Sequence, residues 1–474
     1  MKCTKINLTV QSHLDNLLQQ YPAIMPIVQA IAKQGGRALL VGGAVRDLLM
    51  DLPVKDLDIE VHGLHPEKLE SILRMHGGVN FVGKSFGVYK FFHPQSPDVD
   101  FSLPRVDASG RKPEVVIDPF MSLERAFARR DLTMNAMGID LMTRELIDPF
   151  GGHEDLQKNI LRAVDEQFFI EDPLRFFRVM QFIGRFDMTP DAQLNQICAT
   201  IDIATVSVER IEKEFEKMLL KSQFPSRGIR WLRTINRLQE VLPEVAATVG
   251  IEQSAQWHPE GDVFEHSMQC LDAAARFEYE EESSKLIIMY AALCHDIGKA
   301  TTTKKEADGK ITSYAHAQVG AKMTAHLLPR ITRKKDIIAA VVKLVDVHMI
   351  PLQLVADGSK PAAYKRLAHK LAPNVTMLML ADLALVDRQG RSPEGHIPLN
   401  GAEEDVDAFV RNAAAVEVLE QEEEPVLLGR DLLAIGIQPG PEMGKILARA
   451  YEIQIEEGIR DKDALIKRVA NHAP

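Results

Sequence analysis

The run Asp56-Leu57-Asp58-Ile59-Glu60-Val61 places carboxylates at alternate positions of a β-rich segment. On a strand, the i, i+2 spacing sets Asp56 and Asp58 on one face, where mutually repelling carboxylates can be held by bridging divalent cations. Two such cations close together activate a hydroxyl and support a leaving pyrophosphate. A third carboxylate comes from Asp98-Val99-Asp100-Phe101-Ser102, a segment able to pair beside the first. The alternation fits either Asp98 or Asp100 as the inward group, and Asp100 is the residue assigned to the site. Upstream, Leu39-Leu40-Val41-Gly42-Gly43-Ala44-Val45-Arg46-Asp47 reads as strand, glycine turn and helix start. Gly42 and Gly43 let backbone approach a phosphate, and the helix start offers N–H groups. Arg129-Arg130-Asp131 and Asn135 supply cations for a triphosphate and hydrogen-bonding groups for a ribose. In Glu171-Asp172-Pro173-Leu174-Arg175-Phe176-Phe177-Arg178, the residues Asp172, Arg175 and Arg178 share a helix face and present an acceptor and donors to a base edge. Each piece taken alone also fits a solvated strand edge or a capped, salt-bridged helix start.

The elements that must position these groups fall into two kinds. Residues 37–150 alternate short β-rich runs with helical stretches and Gly/Pro turns, a mixed α/β pattern. From 155 onward strand-like runs nearly vanish, and 3.6-residue periodicity predicts helices over 172–186, 207–221 and 226–241. Pro243 with 250–262, and Arg391–Asn400, read as breaks. A chain of 474 residues exceeds one core of about 150, so the expected units are 1–150, 151–250, 251–400 and 401–474. The net charge of −11 argues against a nucleic-acid partner until it is mapped: −8 of it lies in 401–474. An apolar content of 46% excludes disordered and fibrous classes. No run approaches the 18 or so apolar residues of a membrane span, and the N-terminus carries no signal pattern, so a cytoplasmic chain without membrane contact is expected. Cys3, Cys198, Cys270 and Cys294 form no CxxC pair and are expected as buried free thiols.

In joint order and spacing, GGxVRD, DxD, a third acidic strand, RRDxTxNA and EDPLRxxR resemble the class II tRNA nucleotidyltransferase family, the CCA-adding enzymes. The resemblance runs from about 37 to 245. It implies an α+β architecture, with a small mixed-sheet nucleotidyltransferase head followed by an all-helical neck and body. It also implies that Gly43 and Arg46 contact the nucleotide, Asp56 and Asp58 hold Mg²⁺, and Arg130 and Asp131 grip triphosphate and sugar. Asp172 and Arg175 would then select CTP or ATP, because a carboxylate can accept from the exocyclic amino group that C and A share. Family members often carry an Arg where this chain has Gln181, leaving Arg178 or Arg185 to compensate. Partial CC- or A-addition is an alternative. Bacterial poly(A) polymerases are another, although their basic stretch is not evident in Val82–Tyr89.

Lys221, Arg227, Arg230, Arg233 and Arg237 fall in a stretch free of acidic residues. The four arginines lie close to one helical stripe, a candidate tRNA phosphate track, with Trp231 and Leu232 turned to the core. Further on stand His266, then Cys294-His295-Asp296-Ile297-Gly298-Lys299, then His316, His348 and Asp387. With Trp257-His258-Pro259-Glu260, this region resembles the HD phosphohydrolase domain fused to some CCA-adding enzymes. That resemblance maps the metal ligands to His266, His295, Asp296 and Asp387, with Asp382 competing for the last place and a divalent transition metal or Mg²⁺ as the ion. It implies hydrolysis of a phosphomonoester or 2′,3′-cyclic phosphodiester, with Lys299 on phosphate and His316 and His348 as extra ligands or substrate contacts. His348 is followed by Met349, where some relatives have a second His-Asp pair. A head that merely presents RNA to an HD hydrolase is the competing reading. The segment Gly436–Lys445 reads as a turn into a helix in an acidic helical tail.

Overall fold

The computed structural model describes residues 3–82, 87–107, 115–393, 395 and 397–470. Two compact units divide between Val206 and Ser207, inside the stretch 151–250. The architecture is α+β, with one large mixed sheet in the first unit and a helical remainder.

Before residue 150 the strands are β1 (Cys3–Lys5), β2 (Arg37–Val41), β3 (Leu57–His62), β4 (Gly78–Val82), β5 (Val88–His93), β6 (Ser96–Ser102), β7 (Arg105–Asp107), β8 (Val115–Ile117), β9 (Gly138–Asp140) and β10 (Glu145–Ile147), and two further two-residue pairs follow, Ile160–Leu161 with Thr189–Pro190 and Lys304–Lys305 with Ile311–Thr312. Eight form one sheet in the order β1-β10-β9-β2-β3-β6-β5-β4, while β7 and β8 pair separately. Every pair in the large sheet is antiparallel except β3 with β6. That parallel pair sets Asp58 opposite Asp100. Leu57, Ile59 and Val61 turn into the core, and Asp58 projects from the other face. Between β2 and the helix Gly43–Leu49, Gly42 has φ +69°, and a Cβ there would lie 2.7 Å from Arg130 Nη1. The left-handed backbone requires glycine, and a side chain there would also displace the Arg130 guanidinium.

In the second unit, the helices Val263–Ala275 and Glu282–Cys294 are buried nearly all round, as core helices are. Polar residues on such a helix need partners. His266, Gln269 and Asp272 all have them. Helices His316–Leu327, Lys335–Val347 and Met377–Gln389 pack around these two. Within the expected break at Arg391–Asn400, the described residues are tied to the core: Gln269 bonds Ser392 and Gly395, and Arg276 bonds Pro398 and Asn400.

Two expectations change. The helix expected over 226–241 ends at Thr234, with Asn236 at φ +60° before a short helix Leu238–Val241. One stretch, Lys335–Ala356, has mean hydropathy 1.8 and is long and apolar enough to cross a membrane by composition. A turn at His348 and Met349 interrupts it. Of the cysteines, Cys198, Cys270 and Cys294 are buried free thiols, while the side chain of Cys3 lies outside the described residues. So do Gly83–Phe86 of the segment that argued against a poly(A) polymerase.

Candidate functional site

The first unit holds two adjoining cavities that share Arg130. The smaller, about 210 Å³, is lined by Asp58, Glu60, Asp100, Ser102, Arg105, Arg129 and Arg130 among others. Asp56 is exposed just before β3, and Asp98 is exposed outside the cavity wall. Desolvation at the cavity, with Asp100 and Asp56, pushes the Asp58 carboxyl up against the pull of Arg130. Carboxylates set face to face by strand register, one of them resisting ionisation, fit a divalent cation between them.

The larger cavity, about 370 Å³, is lined by Gly42, Gly43, Arg46, Arg130, Asp131, Asn135, Asp172, Leu174, Arg175 and Arg178. Local bonds fix most of these polar groups. Asp131 accepts from Arg178 Nε at 2.6 Å, Asn135 Nδ2 at 3.0 Å and the Leu132 N–H at 2.8 Å. Burial would raise the Asp131 carboxyl, but Arg178 and Asn135 hold it below its ordinary value. Arg46 is buried, donates to Asp47 and Asn135, and lies over the rings of Phe182 and Phe186. Arg175 donates to the Phe168 carbonyl and stacks 4.0 Å over the Phe168 ring. Asp172 was expected on the helix with Arg175 and Arg178; it ends the helix Glu166–Glu171 instead. There it accepts from the Leu174 N–H at the start of Leu174–Phe186, and all three residues still face one cavity. Gln181 is buried and accepts from Arg185 at 3.0 Å, so Arg185 is turned to Gln181 rather than lining the cavity.

In the second unit, five helices deliver the acid and imidazole groups to one point. Four histidines present Nε2 inward: His266 to His295 at 3.2 Å, and His316 to His348 at 3.2 Å. The Nδ1 atoms face outward, to the carbonyls of Ala292, Ser313 and Val345 for His295, His316 and His348. His266 Nδ1 lies 2.7 Å from Glu260 Oε1. Asp296 sits between the pairs, with Oδ2 3.6 Å from His266 and 3.4 Å from His295, and Oδ1 3.4 Å from His316 and 3.8 Å from His348. Asp387 Oδ1 lies 3.1 Å from His266, which places Asp387 and not Asp382 in the cluster. Gly298 makes this possible, since a Cβ there would meet the His316 carbonyl at 2.1 Å. Burial pushes His316 down and His348 down to about 3. Asp296 and Asp387 stay well below the usual range: burial opposes their ionisation, and Lys299 or Arg391 respectively, together with His266 and His295, outweigh it. Imidazoles with outward-anchored Nδ1 atoms and ionised carboxylates make a metal-binding donor set, although, against burial, the apposed Cys270, Asp387 and Glu260 hold His266 above its ordinary value.

The four arginines of the expected phosphate track do not form one stripe. Arg230 is engaged by Glu265 at 2.7 Å and lies 3.6 Å from Asp272; Arg237 is buried against Glu240. Arg233 is exposed, and Arg227 is half-buried over Phe224. Trp231 and Leu232 do face the core.

Residues 38–162 match the model of the Poly A polymerase head domain, and 263–383 that of the HD domain. A multifunctional CCA protein of Xanthomonas oryzae pv. oryzae is 33% identical over 431 residues, covering 87% of this chain and 96% of that protein. The chain belongs to the multifunctional CCA protein family. With the family's protein from Xylella fastidiosa strain 9a5c, the match is 37% over 279 residues, 56% of this chain and 64% of that protein's length, less than two thirds. The crystal structure of the Bacillus stearothermophilus CCA-adding enzyme in complex with CTP shares the fold at TM-score 0.63 and 21% identity, over 96% of this chain and 98% of that one. The Thermotoga maritima CCA-adding enzyme complexed with tRNA does so at 0.57 and 17%, over 99% of both.

Two residues of this CCA-family chain escaped the sequence reading. Glu60 is buried, takes His62 Nε2 at 2.9 Å, and lies 3.5 Å from Arg129 and 3.7 Å from Arg130. Burial would raise its carboxyl; His62, Arg130 and Arg129 hold it below. The signal was present, since an acid at the third alternate position of an apolar strand needs a buried partner. Glu260, with a side chain 0% exposed, bonds both His258 at 2.9 Å and His266 at 2.7 Å. Burial opposes its ionisation, and the two histidines hold it down at about 2.

Proposed function

We propose that this chain adds CCA to the 3′ end of tRNA from CTP and ATP without a nucleic-acid template. The observation that carries this reading is the larger head cavity, where Gly42, Gly43, Arg46, Arg130, Asp131, Asn135, Asp172, Arg175 and Arg178 all meet, joined through Arg130 to the Asp58–Asp100 wall. Asp56 and Asp58, beside Asp100, would hold Mg²⁺, which when bound offsets triphosphate charge and eases attack of a hydroxyl on phosphorus. Arg130 and Arg178 meet the triphosphate, and Asp131 and Asn135 hold the sugar. Asp172 accepts from the exocyclic amino group while Arg175 donates to the base edge. Asp100 takes the proton of the tRNA 3′-hydroxyl as it attacks the α-phosphate, and the bond from the α-phosphorus to the bridging oxygen breaks as pyrophosphate leaves. Arg233 and Arg227 form what remains of the phosphate track. The test is extension of tRNA lacking its 3′ CCA, with each nucleotide alone and with both. Ordered addition of C, C and A is expected. Addition of C alone, A alone or a long A tail identifies the partial or poly(A) activities, and no label in the tRNA leaves the head as an RNA platform.

The second unit is read as a metal-dependent phosphohydrolase. His266, His295, Asp296 and Asp387 would hold one divalent ion, with Asp296 shared toward His316 and His348; bound metal supplies a nucleophile and offsets phosphate charge. Water adds to phosphorus, one P–O ester bond breaks, and the departing oxygen takes a proton. Lys299 and Arg391 stand beside Asp296 and Asp387, where they meet the phosphate. Divalent-dependent phosphate release that disappears in His295→Ala tests it.

A further inference from the structure

Two phenylalanines that do not line the larger head cavity lie against arginines that do. Phe182 and Phe186 are four residues apart on the helix Leu174–Phe186, so they share a face, and their rings stack with centres 5.7 Å apart and planes at 18°. The guanidinium of Arg46, which comes from the helix Gly43–Leu49, lies 4.7 Å from the centre of the Phe186 ring and 5.5 Å from that of Phe182. Arg178 lies 5.3 Å from Phe182, and Arg185 lies 4.6 Å from Phe186. Cations gathered this closely repel one another, and the negative faces of the two rings offset that repulsion. Arg46 is buried, and its hydrogen bonds run along the edge of the guanidinium: Nε and Nη2 donate to Asp47 at 2.9 and 2.6 Å, and Nη1 donates to Asn135 at 2.9 Å. A guanidinium carries five donors in a planar fork, so one hydrogen on each Nη lies beyond these bonds among the described residues. Bonds along the edge fix where the fork sits, and rings against its face fix its plane. Together they set the direction of the remaining N–H groups in the cavity that Arg46 lines.

We infer that Phe182 and Phe186 are positioning residues for nucleotide binding: their rings hold Arg46, and through Phe182 also Arg178, in the plane that presents their N–H groups to the phosphates. This rests on the nucleotidyl-transfer reading of the head and adds to it two residues that never touch the nucleotide. The pair sits on the helix that also carries Arg175, so the element that meets the base edge is the one that fixes an arginine from another helix. Phosphates are common to CTP and ATP, so the two nucleotides depend on the rings equally.

The test titrates the full chain with CTP, ATP and inorganic tripolyphosphate by calorimetry, and measures KM and kcat for extension of tRNA lacking its 3′ CCA. Phe186 is the half-buried member of the pair, so Phe186→Leu removes the ring and keeps an apolar side chain where the core is least strained by it. Binding of all three ligands should weaken by one common factor of about 2- to 30-fold, the equivalent of about 0.5–2 kcal/mol. KM should rise by the same factor with kcat nearly unchanged. Phe186→Tyr, which restores a ring face, should recover most of the loss. In an Arg46→Ala background Phe186→Leu should add nothing, because the ring acts through that arginine. Unchanged binding, a loss confined to kcat, a loss that Phe186→Tyr leaves in place, or one that adds in full to that of Arg46→Ala overturns the inference. Phe186→Met replaces the leucine variant in every arm if that one does not fold. A wild-type chain that binds the triphosphates without extending tRNA sinks the nucleotidyl-transfer reading, and the binding arms still decide the inference. One that binds none of the three overturns both.

Discussion

The head and the HD region each gather acids beside basic side chains, yet they do so in opposite ways. In the head, Asp56 and Asp58 stand exposed at the end of a strand, and fixed arginines wait in the adjoining cavity. In the HD region the donors are buried, each imidazole is anchored through its outer nitrogen, and the carboxylates are already neutralised by Lys299 and Arg391. On the proposed reading, a polymerising site must admit a triphosphate and a moving RNA end, so its acids stay in solvent, while a hydrolytic site for one small group can be built rigid in advance, at the cost of burying charge.

The largest expected effect separates the two centres. Asp58→Ala should lower nucleotide incorporation by about 10³-fold or more, since several kcal/mol of transition-state stabilisation go with the cation. Phosphate release should persist, and His295→Ala should do the reverse. Parallel measurement of both activities breaks the comparison if either variant loses both.

The next effect concerns the two buried glutamates, which sharpen the contrast. Glu60→Gln weakens the anchor of Arg129 and Arg130, so KM for CTP and ATP should rise about 10- to 100-fold, with a smaller change in kcat. Glu260→Gln loosens His266 and should weaken HD-site divalent binding about 10- to 100-fold by titration calorimetry, with nucleotide incorporation unchanged. An unaltered KM in the first, or unaltered metal affinity in the second, removes that glutamate from its positioning role.

A pH effect on stability is expected from the second unit. Burial raises Asp272 to about 6 against the pull of Ser226 and Arg230. A carboxyl raised on folding contributes stability that is present below its unfolded value near 4 and lost as pH rises through 6. Asparagine mimics the protonated form at every pH. Between about pH 4 and 8 the wild-type chain should therefore lose about 3 kcal/mol relative to Asp272→Asn, read as a pH-dependent gap between their thermal midpoints. A gap independent of pH shows that Asp272 is ionised throughout. The smallest effect is that of Arg233→Ala, which should weaken tRNA binding a few-fold and lower its salt slope by about 1. Arg237→Ala, with its cation committed to Glu240, should leave that slope alone.

Much of the head site was legible because its residues lie close in sequence on elements of known period. Gly42 and Gly43, and Arg175 and Arg178, are spaced by a turn and a helix, and those spacings survive folding, whereas Asp56 falls just before the strand that carries Asp58. The arginine track was misread for the opposite reason. A helical stripe fixes which side chains are neighbours along one element, while Glu265 and Asp272, which take up Arg230, come from another helix altogether. Glu60 went unassigned because its partners Arg129 and Arg130 lie far along the chain.

The sequence by itself determined the class of chemistry, the α+β head with a helical remainder, and the short-range motifs that carry both centres, because residue type and local period are properties of the chain. Only the tertiary structure decided between Asp98 and Asp100, between Asp382 and Asp387, and which arginines are spent inside the protein. Those choices depend on strand register and helix packing, where a slip of one residue, or a glycine such as Gly298 admitting a second helix, changes which side chains meet.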